Sequence, residues 1–297
     1  MVTPLTSNLE IDAIAVESLV EYLIAGHVHA LFALGSSGEC VWLSWRKQQT
    51  LLRRVINAAA GRLPVYAGVS SNCMDEAVER TFAAAELGAD FAVAVPPCYF
   101  RVSQLELVEF FTEIADRSPL PVVLYNIPLR TNNEIAPASV ELLSRHKNIV
   151  GIKDTVNDMA RTLDVLERVG GRNDFSYLHG NELLSLPAIL YGAKGMVPSI
   201  ANFDPYSVTA AFAAARNRDL SSLPEWQSRF RRLLKSFTLL ETQAQESTTL
   251  RLQGIKAILN VLGICQCYMA QLNHTISSDR MDRVREFVLS EELAVTR

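Results

Sequence analysis

Two residues of this 297-residue chain stand where they could do chemistry together. Lys153 closes the segment 148–155 (NIVGIKDT), an apolar run with Gly151 at its centre that reads as a buried parallel strand. Alternation along a strand puts Ile149, Gly151 and Lys153 on one face, with Val150 and Ile152 on the other. A lysine on a buried face must find an anion or give up its proton, because desolvation disfavours an ammonium group. A neutral amine in a dry site is the nucleophile that forms an imine with a ketone. The bland alternative is a buried cation paired with a core carboxylate. Buried lysines are uncommon and often functional, which tilts the reading toward chemistry. Tyr125, within 121–128 (PVVLYNIP), lies on another strand-like segment and points the same way as Val123. Its phenol could shuttle a proton at Lys153, although a single tyrosine there reads more readily as core packing with a bonded hydroxyl.

Other candidates carry less weight alone. Residues 35–39 (GSSGE) follow a strand-like run and precede a helix, so their N–H groups could hold a carboxylate or phosphate; a plain tight turn is the commoner meaning. Arg130, two residues past the strand carrying Tyr125, could offer a bidentate fork to a carboxylate or be a solvated loop arginine. Tyr99, in 96–100 (PPCYF), is either an interface anchor or a site residue. Cys265 and Cys267 lack histidine or further cysteine partners at ligand spacing, so buried free thiols are favoured over a metal site.

The elements that must position these residues alternate. Strand-like runs lie at 29–35, 64–69, 90–96, 121–127, 149–154, 175–179 and 195–201. Helical periodicity fills 44–60, 73–87, 103–117, 137–145, 157–169, 182–191 and 204–217, with Ser44, Ser103 and Asn157 as expected N-caps and Gly61, Gly88 and Gly170 after last turns. Repeated βα units imply parallel strands and, with one strand more at the start, an α/β fold of the (β/α)8 TIM-barrel type. Only residues 1–4 are available for that first strand, so it is expected to be a stub with few ladder bonds, or else the true translation start lies upstream. In such a barrel the working residues sit at C-terminal strand ends, which places Lys153 on the active face and Lys194, before a strand, on the other. After 216–219 (RNRD) the alternation stops and helices are expected at 222–247, 251–262 and 278–290. The division expected is a barrel over 1–217 and a helical region over 218–297.

Composition bounds the function. A net charge of −4, with 28 basic residues spread without runs, gives no reason to expect a nucleic-acid partner. No apolar run reaches membrane-spanning length and no basic-then-apolar leader opens the chain. Five cysteines, an odd count, argue for reduced thiols and a cytoplasmic setting over a disulfide framework.

Taken together, GSSGE at 35–39, YNIPLRT at 125–131, GIKDT at 151–155 and GAKGMVPSIAN at 192–202 resemble the dihydrodipicolinate synthase/N-acetylneuraminate lyase family of pyruvate-dependent class I aldolases. The likeness runs from Val2 to about Val288, and the tyrosine-to-lysine separation, 153 − 125 = 28, is that of the synthases. The resemblance implies an imine between Lys153 and pyruvate, with Tyr125 relaying protons. It also implies that the N–H groups of Ser36 and Ser37 hold the pyruvate carboxylate, and that Ser36 links Tyr125 to Tyr99 of a neighbouring subunit. Gly180 and Val197 would line the pyruvate pocket, the assembly would be a homodimer or homotetramer, and neither metal nor organic cofactor would be needed.

Departures from the family pattern set the substrate expectations. Serines replace the usual Thr-Thr at 36–37 and lose the methyl that fixes the rotamer. Arg130 matches the synthase arginine for an acidic aldehyde, so the second substrate is expected to be small and acidic. Asp154-Thr155, by contrast, is frequent in aldolases for 2-keto-3-deoxy sugar acids and related hydroxy-oxo acids such as 4-hydroxy-2-oxoglutarate. Of the lysine-inhibition site Asn72 and Glu76 remain, while Trp45, Gln48 and Cys98 replace the usual residues, so lysine is not expected to inhibit. The reading is a Schiff-base lyase condensing pyruvate with an aldehyde, most like the synthases; cleavage of a 2-oxo sugar acid is the alternative. A non-catalytic ketoacid-binding protein on the same fold is a third.

Overall fold

The computed structural model of the chain describes residues 1–241 and 247–293. Strands form where the apolar runs lie: β1 Leu31–Ala33, β2 Val65–Gly68, β3 Phe91–Ala94, β4 Val122–Asn126, β5 Ile149–Asp154, β6 Ser176–His179 and β7 Gly195–Met196. The chain groups into two compact units, one of Met1–Val65, Ser199–Ala210 and Pro224–Arg297, the other of Tyr66–Pro198 and Ala211–Leu223.

In the second unit β2 through β7 pair in parallel, each with the next in chain order. Helices Met74–Leu87, Gln104–Arg117, Pro137–Leu143, Met159–Val169 and Glu182–Leu190 provide the crossovers. Their ends follow local chemistry. Ser103 and Glu106 form a reciprocal capping box, and Gly88 ends its helix at φ +95°, a conformation costly for residues with a Cβ. The helix after β5 is capped by Asp158 rather than the expected Asn157: its carboxylate accepts from the N–H groups of Ala160 and Arg161. All five residues of β4 are buried, as suits a strand covered on both faces. The last strand is shorter than the run at 195–201 suggested. Pro198 has no N–H for a ladder, and the chain turns into a 3₁₀ segment at Ser199–Asn202.

In the first unit the Leu31 N–H donates to the Pro64 carbonyl at 3.0 Å, which sets β1 beside the residue preceding β2. Parallel strands alternating with helices in chain order, followed by a run of helices, constitute the (β/α)-barrel class. Residues 1–4 form no strand. Instead the Met1 amino group donates to Phe32 O (2.7 Å), the Val2 N–H to Asn202 Oδ1 (2.8 Å) and the Thr3 hydroxyl to Gly38 O (2.6 Å). Val2, Thr3 and Pro4 are buried, and the stub is bonded to three segments without a ladder. The C-terminal helices are Leu223–Leu233, tightening into 3₁₀ turns at Leu234–Thr238, then Thr248–Val261 and Ser278–Ser290. Part of the expected helix 222–247, residues 242–246, lies outside the described residues. Cys265 and Cys267 are free thiols, and burial pushes them up to about 12 and about 11 respectively.

Candidate active site

The second unit brings Lys153 and Tyr125 together. On β4 and β5 Tyr125 stands opposite Lys153, and Asn126 opposite Asp154. This pairing depends on an irregularity. Val122 opposes Ile149 but Val123 opposes Gly151, so β5 carries one extra residue. An unbroken register from Val122 would have set Tyr125 beside Ile152, whose side chain belongs to the other face. With the slip, Lys153 Nζ lies over the Tyr125 ring, 4.0 Å from its centroid. Both are buried, Lys153 at 9% exposure and Tyr125 at 4%.

Two glycines shape the space around the lysine. A Cβ on Gly151 would lie 2.6 Å from the Ser176 carbonyl oxygen, so β5 and β6 can approach only because that atom is missing. A Cβ on Gly180 would lie 2.7 Å from Thr155 Cγ2 and 3.0 Å from Lys153 Cε, so Gly180 packs directly against the lysine stem. The Gly180 N–H donates to Asp154 O at 2.7 Å and the Val197 N–H to His179 O at 2.8 Å, carrying the backbone past the end of β6.

Behind β5, on its other face, lies a polar network that the sequence reading had not assembled. Fully buried Asp154 accepts from Asn126 Nδ2 (3.1 Å), from the Val156 N–H (3.1 Å) and from Arg161 Nη1. Arg161 also pairs with Glu134 and donates to Ile135 O at 2.6 Å. Burial works against the Arg161 cation, but Asp154 and Glu134 outweigh it and hold the guanidinium above its ordinary value. His179 Nδ1 accepts from the Asn181 N–H at 3.1 Å, which leaves the Nε2 proton to face Thr162 Oγ1 at 3.3 Å. Burial holds this imidazole below its ordinary value, against the pull of Asp154. The Thr155 hydroxyl donates to Asn126 O at 2.9 Å. Asp154 and Thr155 therefore spend their polar atoms on the scaffold.

The remaining candidates take different positions. Arg130 lies on the short helix Pro128–Thr131 with its side chain exposed. Tyr99 has φ +90°, is 82% exposed and meets Phe100 edge-on at 4.9 Å. Its loop is pinned by buried Asn133, whose Nδ2 donates to Pro97 O (2.8 Å) and Phe100 O (2.7 Å) and whose Oδ1 accepts from the Val102 N–H (3.0 Å). Nothing in the periodicity marks Asn133. Ser36 and Ser37 belong to the first unit, in the turn after β1; Ser36 is exposed and Ser37 Oγ lies 3.4 Å from Ser199 Oγ. Among the described residues no group of three or more His, Cys, Asp or Glu is arranged to hold a metal ion.

Comparison with known proteins places the chain in a family. Residues 1–282 match the family described as the dihydrodipicolinate synthetase family. The 4-hydroxy-tetrahydrodipicolinate synthase of Methanosphaerula palustris is 34% identical over 221 residues, 74% of this chain and 75% of that protein. The dihydrodipicolinate synthase structure from Bacteroides thetaiotaomicron superposes with a TM-score of 0.91 at 32% identity, covering 98% of this chain and 96% of that one. A prophage protein of E. coli K12 from the dihydrodipicolinic acid synthase family, solved with pyruvate, gives 0.90 at 26% identity, covering 99% and 97%.

Proposed function

We propose a lysine Schiff-base mechanism for this chain, which belongs to the dihydrodipicolinate synthetase family. Lys153 attacks the ketone carbon of pyruvate, the carbinolamine loses water, and the resulting imine acts as an electron sink. Loss of a methyl proton gives an enamine whose carbon adds to an aldehyde, so the chemistry requires neither metal nor organic cofactor. Tyr125 moves protons at the dehydration and bond-forming steps. The N–H groups of Ser36 and Ser37 hold the pyruvate carboxylate, and Gly180 and Val197 line its pocket. Ser36 passes protons between Tyr125 and Tyr99 of a neighbouring subunit. The exposed Tyr99–Phe100 pair supports such a homodimer or homotetramer, and the five free thiols support a cytoplasmic setting.

One observation carries the reading: the side-chain nitrogen of a buried lysine lies 4.0 Å from the centre of a buried tyrosine ring, on adjacent strands. The aldehyde is proposed to be aspartate semialdehyde or a similarly small acidic one, with Arg130 as its carboxylate partner. Cleavage of a 2-keto-3-deoxy acid is the alternative reading; the Asp154 carboxylate, bonded to Arg161, Asn126 and the Val156 N–H, would serve either reaction through the scaffold.

Borohydride reduction with pyruvate should leave a stable adduct on the peptide containing Lys153, and Lys153→Ala should abolish it. Arg130→Ala should trap pyruvate normally and lose only the aldehyde step. A product assay with aspartate semialdehyde against a panel of sugar acids separates synthesis from cleavage. An adduct elsewhere than Lys153 refutes the mechanism, and intact trapping without turnover on any aldehyde favours the binding-protein alternative.

A further inference from the structure

Glu39 ends the GSSGE turn in a conformation that a residue with a side chain rarely adopts, φ +57°. Such a backbone persists only where its surroundings over-determine it. Here they do, entirely within the first unit. The Glu39 N–H donates to Ser36 O at 3.1 Å and the Gly38 N–H to Gly35 O at 3.0 Å, closing the turn that carries Ser36 and Ser37. The Glu39 carboxylate pairs with the ammonium of Lys256 and accepts from the Ala270 N–H at 2.7 Å. Both charged side chains are fully buried.

The partner side is equally fixed. Lys256 lies on the helix Thr248–Val261 and donates a second proton to Tyr268 O at 2.6 Å. One turn earlier Gln253 donates to His274 O at 2.8 Å and Cys267 O at 3.3 Å. One face of this helix therefore holds the segment 267–274, and that segment presents the Ala270 N–H to Glu39. A buried pair is a poor source of net stability compared with apolar packing, so its presence calls for a further role.

We infer that Lys256 is a positioning residue for the 2-oxo acid carboxylate: through Glu39 it sets the turn whose Ser36 and Ser37 N–H groups receive that anion. The inference rests on the carboxylate-holding role proposed for those two residues. Two effects combine in it. The pair keeps Glu39 in its left-handed conformation, and it neutralises a carboxylate lying two and three residues from the anion-holding groups. Removing Lys256 alone would leave that negative charge facing an incoming anion across a low-dielectric interior.

The test compares pyruvate with methyl pyruvate, its neutral ester, by borohydride trapping over a range of ketone concentrations. In Lys256→Met the half-saturating pyruvate concentration should rise about tenfold, the cost of one weakened charge-assisted hydrogen bond, while that of methyl pyruvate changes far less. The double variant Lys256→Met/Glu39→Gln removes both charges and keeps the acceptor for Ala270, so it should recover part of the loss for pyruvate. Glu39→Gln alone provides an independent reading should Lys256→Met fail to fold: it removes the carboxylate and leaves the Lys256 cation, so the preference for pyruvate over methyl pyruvate should rise above the wild-type value, and a fall in that preference overturns the charge argument. Equal weakening of both ketones, or unchanged binding in folded variants, overturns the inference while leaving the mechanism intact. Absence of a Lys153 adduct in the wild type overturns the mechanism and the inference with it.

Discussion

Gly180→Ala is the sharpest probe of how the lysine is held. The added Cβ would meet Thr155 Cγ2 at 2.7 Å, Lys153 Cε at 3.0 Å and Asp154 O at 3.4 Å. Carbon atoms rest at about 3.5–4.0 Å, so the threonine methyl must give by roughly 1 Å and the lysine stem by about half that. Thr155 cannot easily turn away, because its hydroxyl is bonded to Asn126 O at 2.9 Å and its N–H to the same oxygen at 3.1 Å. The lysine, a flexible chain with a reachable end, takes most of the shift. Overpacking of this kind costs roughly 1–3 kcal/mol. A misplacement approaching 1 Å at a reacting group can cost on the order of a hundredfold in rate. We expect Gly180→Ala to fold, with a urea midpoint slightly below wild type, and to form the pyruvate adduct about ten- to a hundredfold more slowly. Adding Thr155→Ser removes Cγ2, keeps the hydroxyl bond, and should recover at least half of the lost rate on a logarithmic scale. Wild-type trapping by Gly180→Ala, or no recovery in the double variant, would refute this account of the lysine's position.

Three further outcomes follow from the network behind β5 and from the turn residues. Asp154→Asn leaves the Arg161 guanidinium with Glu134 but without its buried carboxylate, and should lower unfolding free energy by about 1.5–3 kcal/mol in urea titration; a loss below about 0.5 kcal/mol would mean the pair is dispensable. His179 is held below its ordinary value by burial, so at about pH 8 and above it is neutral in folded and unfolded chains alike. As the pH falls below that, the unfolded chain takes up the proton first and stability is lost toward the depressed folded value. His179→Gln should therefore flatten the decline in unfolding free energy between about pH 7.5 and 5.5, and an unchanged slope would show that other groups set it. Lysine should not bind measurably by calorimetry, since the Gln48 amide is spent on Cys40 O and Leu43 O, each at 2.9 Å, and Asn72 Oδ1 on the Cys98 N–H at 2.8 Å.

Much of this was legible in the residues, and what was not has a physical reason. Apolar runs bounded by Gly, Pro and cap residues located the strands and most helix limits, because those signals act within a few residues of where they lie. Lys153 and Tyr125 were identifiable as strand-end groups on inward faces. The Asp154–Arg161–Glu134 cluster was not, since it joins a strand, a helix and a loop whose approach is decided by packing. Asp154-Thr155 looked like a substrate signature, yet the carboxylate points to the face opposite Lys153 and meets a helix. Lys256 gave no sequence signal either: one lysine among the apolar residues of 248–261 reads as a solvated position until the partner, 217 residues away (256 − 39), is known.

The pairing of Tyr125 with Lys153 is the feature least accessible to sequence reasoning. Each strand taken alone supplies a face, but which residues meet across two strands depends on register, and register here changes between Val122 and Val123. A slip of one residue exchanges the two faces of a strand. The extra residue on β5 thus converts what would have been a tyrosine beside Ile152 into a tyrosine beside Lys153. The same slip sets Asn126 opposite Asp154, so the Asn126 amide bridges the two strands from behind at 3.1 Å. Asn126 Oδ1 in turn accepts from the Ile135 N–H at 3.0 Å, tying the strand end to the segment that follows the Arg130 helix. One irregularity therefore aligns the proposed nucleophile with its proton carrier on the inner face and closes the supporting network on the outer one, so a change that restored regular pairing would undo both.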